Sequence, residues 1–268
     1  MRYPVITALA LVLAMPAAAQ GAKESMPIST PVDALKPGEW VWYDAVAPEG
    51  PSMLIVDLST QRAQLYRNGV RIGVTTVSTG KKGKATPTGI FTILQKKKEH
   101  YSNLYDSAPM PYMQRLTWDG IALHAGNLPG YPASHGCIRM PLAFAQKLYD
   151  ATSLGMTVII ADDKTDTRDI RDAGMFLPVD PADSTDLENA RYRWQPEKSP
   201  EGPVTILVSR ADSQIVVLRN GKEIGRSKVR FPEGAIGTHA ITLAAVENGV
   251  ERWQYIELPG SGDVSGAP

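Results

Sequence analysis

Cysteine is almost absent from the sequence, which has one cysteine and four histidines in 268 residues. A single cysteine rules out an intramolecular disulfide, and so few cysteines and histidines exclude a zinc site of the finger type. Charge of one sign is not in excess either, because 28 basic side chains balance 28 acidic ones. A protein that binds nucleic acid usually has a basic excess, so we expect no nucleic-acid partner.

Long apolar runs are missing beyond the N-terminus. Residues 5–15 form an apolar stretch broken only by Thr7; the basic Arg2 precedes it, and small residues follow at 16–19. This pattern is typical of a cleaved secretory signal peptide, and the run is too short to span a bilayer comfortably. We therefore expect a mature protein without a membrane span, located in the periplasm or cell envelope. A membrane anchor or a buried helix is the alternative.

Short strand patterns separated by turn residues dominate the next part of the chain. Asn68-Gly69 lies between two apolar runs, which predicts a type I′ hairpin. A helix is expected to begin at Pro141, since proline suits the first helical turn, and to end at Gly155. The expected fold class is mainly β with one helix after the cysteine.

Residues 206–225 repeat residues 54–73 at a constant spacing of 152, and both copies share the run Arg-Asn-Gly-x-x-Ile-Gly. Nothing in the second copy corresponds to residues 124–139. We interpret it as a degenerate, non-catalytic half-repeat. A small sheet alone is marginal in water, so we expect it to pack on the first domain or on a partner. The alternative is that two Asn-Gly hairpins merely look alike.

The chemistry is concentrated in one segment. Two of the four histidines and the only cysteine are His124, His135 and Cys137. An imidazole beside a thiol can accept its proton and form an ion pair with the thiolate. Gly136 leaves room beside the sulfur, so the N–H groups of Gly136 and Cys137 are candidate oxyanion donors. The pattern indicates acyl transfer through a thioester; a buried structural cysteine is the alternative.

His124 followed by Ser134-His-Gly-Cys-Ile-Arg139 resembles the catalytic domain of L,D-transpeptidases of the YkuD type. The loop from Ser78-Thr-Gly to Thr86-Pro-Thr-Gly is also similar to that family. The resemblance implies a mixed β-sandwich with Cys137 as nucleophile and His124 as base. The implied supporting residues are Ala125, whose carbonyl orients the base; His135 and Gly136 at the oxyanion region; and Arg139, Ser134 and Tyr131 as substrate-binding residues.

The family further implies a reaction on peptidoglycan stem peptides. The thiolate would attack a tetrapeptide stem, and an amine would resolve the thioester, forming a crosslink or attaching an acceptor protein to the wall. No metal or other cofactor is needed, because the nucleophile is the thiolate itself. An L,D-carboxypeptidase, a peptidoglycan hydrolase on the same scaffold and a cell-wall-binding protein are the alternatives, and a thiol protease of another fold is a further one.

These observations predict six segments along the chain. They are a signal peptide at 1–19, a leader or linker at 20–50, the catalytic domain at 51–162, a linker at 163–202, the half-repeat at 203–259 and a flexible tail at 260–268.

Overall fold

The computed structural model describes residues 21–102, 107–162, 192–209, 213–230, 240–247 and 250–256. The predicted signal peptide, the predicted tail and most of the predicted linker lie outside the described residues. Within these ranges, none of the helices combines the length and the apolar character that crossing a membrane requires.

Strands are the main regular elements of the described structure. The first unit contains β1 Trp40–Trp42, β2 Ser52–Asp57, β3 Arg62–Arg67, β4 Val70–Thr76, β5 Gly89–Thr92, β6 Gln95–Lys97, β7 Met113–Arg115, β8 Ala122–Ala125, β9 Ile138–Met140, helix α1 Leu142–Ala151 and β10 Thr157–Ala161. The second unit contains β11 Tyr192–Trp194, β12 Val204–Ser209, β13 Gln214–Arg219, β14 Lys222–Lys228, β15 Ala240–Glu247 and β16 Val250–Ile256.

The first unit has two mixed sheets. The strand order is β1-β4-β3-β2-β10-β5 in one sheet and β6-β7-β8-β9 in the other. Strand β10 pairs parallel with β2 and antiparallel with β5, and β8 pairs parallel with β9. Asn68 and Gly69 both have positive φ values, of 48° and 72°, as a type I′ turn requires. The predicted mainly β class, with α1 following the cysteine, is confirmed.

One apolar core is shared by the two sheets and α1. Leu54 from β2, Leu123 from β8, Ile138 from β9 and Phe144 from α1 are all fully buried in it. Burying a side chain of this size stabilises a fold by about 1.5–3 kcal/mol. Because Leu123 and Ile138 point into this core, β8 and β9 must present their neighbouring residues to the opposite face.

Residues 21–50 are part of this unit rather than the leader or linker that we expected. Trp40 and Val41 are 1 % exposed, and β1 pairs antiparallel with β4 at the edge of the first sheet. The Trp40 indole N–H donates a hydrogen bond of 2.9 Å to the carbonyl of Ala22. The large apolar area of the tryptophan explains why this segment, although rich in turn residues, packs on the sheet.

Residues 192–202, which we assigned to the linker, instead begin the second unit. Strand β11 pairs with β14, and the strand order β11-β14-β13-β12 reproduces the order β1-β4-β3-β2. Equivalent arginines make equivalent contacts. The Arg67 guanidinium donates to the carbonyls of Ala47 and Pro48, and the Arg219 guanidinium donates to those of Ser199 and Pro200. The two units therefore share strand order and side-chain contacts over residues 40–76 and 192–228.

The two units touch where β10 begins. The Thr157 and Thr205 hydroxyls lie 2.8 Å apart. Gly155 has a φ of +78°, and a Cβ there would lie 2.2 Å from the Asn220 carbonyl. Only glycine allows the second unit's hairpin turn to approach this closely. The outward side of β12 is apolar, and Ile206 is 57 % exposed there.

Candidate active site

Strands β8 and β9 bring the predicted base and nucleophile together. The parallel ladder pairs Leu123 with Ile138 and His124 with Arg139, which places Cys137 beside Ala122 one residue earlier. Side chains alternate between the two faces of a strand, so His124 and Cys137 point to the same face, opposite the core. Cys137 directly precedes β9 and is the diagonal neighbour of His124 on β8. Cys137 packs there against an apolar cluster of Met110, Met113 and Ala122.

His124 is buried, with 7 % of its surface exposed. Its Nδ1 lies 2.7 Å from the carbonyl oxygen of Ala125, so the Nδ1–H donates to that oxygen and Nε2 carries the lone pair. Burial lowers the pKa of His124 to about 4, although the bond to Ala125 acts in the opposite direction. At neutral pH the imidazole is therefore uncharged, oriented and able to accept a proton at Nε2.

Burial favours the thiol form of Cys137 in this site. The Sγ atom lies 3.4 Å from the Gly120 carbonyl, to which the S–H donates. Burial raises the pKa of the thiol, whereas the backbone N–H of Ala122 and the charges of Arg139 and Arg115 act to lower it. Burial of both groups thus favours a neutral thiol–imidazole pair at rest over the ion pair that the sequence pattern led us to expect.

A tight loop precedes the cysteine. Gly136 has a φ of +114°, and a Cβ on it would lie 2.7 Å from Ile121 Cδ1, so this position requires glycine. Its N–H donates to the Ser134 hydroxyl at 3.0 Å, and that hydroxyl donates to the Cys137 carbonyl at 2.5 Å. The Gly136 N–H, one of the two candidate oxyanion donors, is therefore already engaged by Ser134.

A second loop, residues 78–86, holds this cysteine loop. The backbones of Ser78 and Arg139 exchange two hydrogen bonds, at 2.9 and 3.0 Å. The Ser134 N–H donates to the carbonyl of Thr79, and the Ser134 carbonyl accepts from the N–H of Lys81. Ser134, which we predicted to bind substrate, is 1 % exposed, and its described contacts are all within these two loops.

Two cations act on the site, and sequence reasoning identified only one of them. Arg139 lies on the site face, where its Cγ and Cδ atoms cover Gly126. Arg115 pairs with Ala122 across β7 and β8, so it shares that face, and it acts electrostatically on the thiol. Its guanidinium lies 6.0 Å from the centroid of the exposed Trp118 ring. No local pattern indicated Arg115, because only the strand register places it near the cysteine.

The remaining predicted residues lie at the surface of the site. His135 is exposed, immediately before the tight turn at Gly136. Tyr131 is 62 % exposed, and its carbonyl accepts a hydrogen bond of 2.8 Å from the Ser78 hydroxyl. Tyr112 packs edge-on against the ring of Tyr149. Within the described ranges, no cluster of three or more His, Cys, Asp or Glu side chains could hold a metal ion.

Comparison with known proteins supports the resemblance noted in the sequence. Residues 51–160 match the family model of YkuD, described as the L,D-transpeptidase catalytic domain. This stretch of the chain is thus similar to an L,D-transpeptidase catalytic domain, and the predicted resemblance is confirmed for it. No curated protein gave a significant match.

Three solved L,D-transpeptidases are similar to the chain. One from Stackebrandtia nassauensis is 32 % identical; the similarity covers 43 % of this chain and 57 % of that one, with a TM-score of 0.39. One from Mycobacterium smegmatis is 24 % identical, covering 41 % and 58 %, with a TM-score of 0.39. One from Mycobacterium tuberculosis H37Rv is 24 % identical, covering 41 % and 57 %, with a TM-score of 0.39. The chain spans a little over half the length of these structures.

Proposed function

We propose that this protein is a peptidoglycan L,D-transpeptidase that transfers the acyl group of a tetrapeptide stem to an amine. The observation that carries the proposal is the pairing of His124 on β8 with Cys137 directly before β9. A neutral His124, oriented by the Ala125 carbonyl, shares a face with the only thiol of the chain. The pair lies inside the segment that matches the L,D-transpeptidase catalytic domain.

The first step acylates the cysteine. His124 Nε2 accepts the Cys137 proton, and the sulfur attacks the carbonyl carbon of the third stem residue, forming a tetrahedral oxyanion. Collapse of this intermediate breaks the peptide bond, and the departing amine of the terminal D-alanine takes the proton from His124. The products are a thioester at Cys137 and free D-alanine.

The second step resolves the thioester. An acceptor amine, such as the diaminopimelate side chain of a neighbouring stem, loses a proton to His124 and attacks the carbonyl. The thiolate leaves and recovers the proton. An amine on another stem gives a crosslink, an amine on a protein attaches that protein to the wall, and water gives a carboxypeptidase. We propose the amine as acceptor, and we propose the cell envelope as the location because the N-terminus has the pattern of a signal peptide.

Charge around the thiol supports an anionic peptide as substrate. Arg139 and Arg115 both act electrostatically on Cys137. The strands that carry them, β9 and β7, place both side chains on the site face. A guanidinium binds a carboxylate through two parallel hydrogen bonds, which positions it as well as attracting it. We propose that these two arginines bind carboxylates of the stem peptides.

The decisive experiment is incubation of the mature protein with purified disaccharide-tetrapeptide, followed by mass spectrometry. We expect crosslinked dimers and released D-alanine. Tripeptides without dimers would assign a carboxypeptidase instead. Unchanged substrate, with the protein still binding peptidoglycan, would assign a wall-binding protein and overturn the proposal. Cys137→Ala is the control. It removes the nucleophile but keeps the backbone groups that bind the neighbouring loop residues.

A further inference from the structure

Thr86 links the two loops of the site through a single buried hydroxyl. The residue is 4 % exposed. Its Oγ1 accepts a hydrogen bond of 2.8 Å from the N–H of Gly80 and donates one of 2.8 Å to the carbonyl oxygen of Gly136. Gly80, which supplies the N–H, is closely packed within its own loop, because a Cβ on it would lie 2.1 Å from the Lys84 carbonyl.

The contact fixes the direction of the peptide group between Gly136 and Cys137. A trans peptide is planar, and its C=O and N–H point in opposite directions. Holding the Gly136 oxygen therefore also sets the direction of the Cys137 N–H. On either side of this group, the Ser134 hydroxyl binds the Gly136 N–H and the Cys137 carbonyl. Two hydroxyls thus fix three successive backbone groups.

The contact from Thr86 matters because the residue whose carbonyl it binds is a glycine. Gly136 has a φ of +114°, and glycine has more backbone freedom than any other residue. Without a partner for its carbonyl, the peptide group could rotate and carry the Cys137 N–H away from the reacting carbonyl. Since Ser134 already occupies the Gly136 N–H, the Cys137 N–H is the candidate oxyanion donor left in this turn.

We propose that Thr86 is a positioning residue that orients the Cys137 N–H toward the oxyanion of the acyl-transfer step. This inference rests on the proposed function, because it needs a reaction that passes through a tetrahedral oxyanion. Thr86 touches neither the sulfur nor the substrate. It acts through the Gly136–Cys137 peptide group, and removal of its hydroxyl should affect only reactions that develop an oxyanion.

Two reactions of Cys137 separate this role from general loosening of the loop. Iodoacetamide alkylates the sulfur by direct displacement of iodide at a CH₂ group, and no oxyanion forms. A carbapenem acylates it by addition to the β-lactam carbonyl; the ring C–N bond then breaks, and the nitrogen takes up the proton. Because the chain has a single cysteine, both rates report on Cys137 alone. Their ratio is the measured quantity.

The test variants are Thr86→Val, which removes the hydroxyl, and Thr86→Ser, which keeps it. Thr152→Val is the matched control: this threonine is also buried, and its hydroxyl contacts the Leu148 carbonyl and Gln114 Oε1 at the end of α1. We expect Thr86→Val to lower the acylation rate by about 100-fold, the loss that a misplacement of about 1 Å can cause, with little change in alkylation. Thr86→Ser and Thr152→Val should keep the wild-type ratio.

Turnover of disaccharide-tetrapeptide gives a second readout. In Thr86→Val, kcat should fall while KM stays near the wild-type value, since the oxyanion contact exists only in the transition state. Thr86→Ala is measured beside it, so the result does not depend on one variant folding.

An unchanged ratio of the acylation rate to the alkylation rate in the variants that lack the hydroxyl, whether both rates fall equally or neither falls, would overturn the role of Thr86. A wild-type protein that alkylates but neither acylates nor turns over the stem peptide would overturn the proposed function itself.

Discussion

Acidification should destabilise this protein through His124. Burial lowers the pKa of His124 to about 4 in the folded state, from its ordinary value of 6.5. The unfolded chain therefore binds a proton at His124 before the folded chain does. Stability from this group is fully present above the unfolded pKa and is lost as the pH falls through the folded one.

The magnitude follows from the two pKa values. A difference of about 2.5 units costs about 3 kcal/mol when the pH falls from about 7 to about 4. That is a large share of the stability of a typical domain, which is roughly 5–15 kcal/mol. His124 is 7 % exposed, so solvent does little to screen the cost of charging it.

The assay is urea unfolding of the wild type and of His124→Gln across this pH range. Every other titrating group is common to both proteins, so the difference between their free energies of unfolding isolates His124. We expect the wild type to lose about 3 kcal/mol more than the variant on acidification. Thr152→Val, which removes a buried hydroxyl but keeps His124, should lower stability at every pH and retain the wild-type slope.

Two results would refute this reasoning. Equal pH slopes in the wild type and His124→Gln would mean that burial does not perturb the imidazole. A wild type that gains stability relative to the variant on acidification would mean that His124 carries its proton in the folded state, as in an ion pair with a Cys137 thiolate.

Three further predictions concern the site and the second unit. Cys137→Ala should abolish turnover and any mass adduct with a carbapenem while the fold survives; retention of more than a few per cent of activity would rule out the thioester mechanism. His124→Ala should slow alkylation of Cys137 near neutral pH, because the buried neutral thiol then has no neighbouring base to accept its proton as the sulfur reacts; His135→Ala should slow turnover more than alkylation, and the reverse pattern would exchange the two roles. Truncation after Asp162 removes Thr205, the partner of the Thr157 hydroxyl. The truncated protein should be poorly soluble or altered in acceptor choice, with Cys137 still alkylatable. A soluble truncated form with unchanged stability and kinetics would make the second unit an independent module.

The sequence alone determined the local structure and the reacting pair. Hydrophobic alternation and the Asn68-Gly69 turn predict the β2–β3–β4 region, and Pro141 predicts where α1 begins. Residues 90–95 have the sequence pattern of a single strand, but in the structure they are divided between β5 and β6, which belong to different sheets. Strands β7 and β9 are three residues each, too short to leave a periodic signal. Cys137 and His124 could be proposed from the sequence because their chemistry is rare within it.

Tertiary structure decided the features that depend on contacts between distant segments. The register of β7, β8 and β9 places Arg115 on the face of Cys137, and two loops converge to bring the Thr86 hydroxyl to the Gly136 carbonyl. Burial favours the neutral forms of both reacting groups. The proximity of thiol and imidazole in the sequence suggests an ion pair, but desolvation disfavours both the thiolate and the imidazolium. A residue's partners across the sheet and its distance from water are properties of the folded chain, and no local pattern contains them.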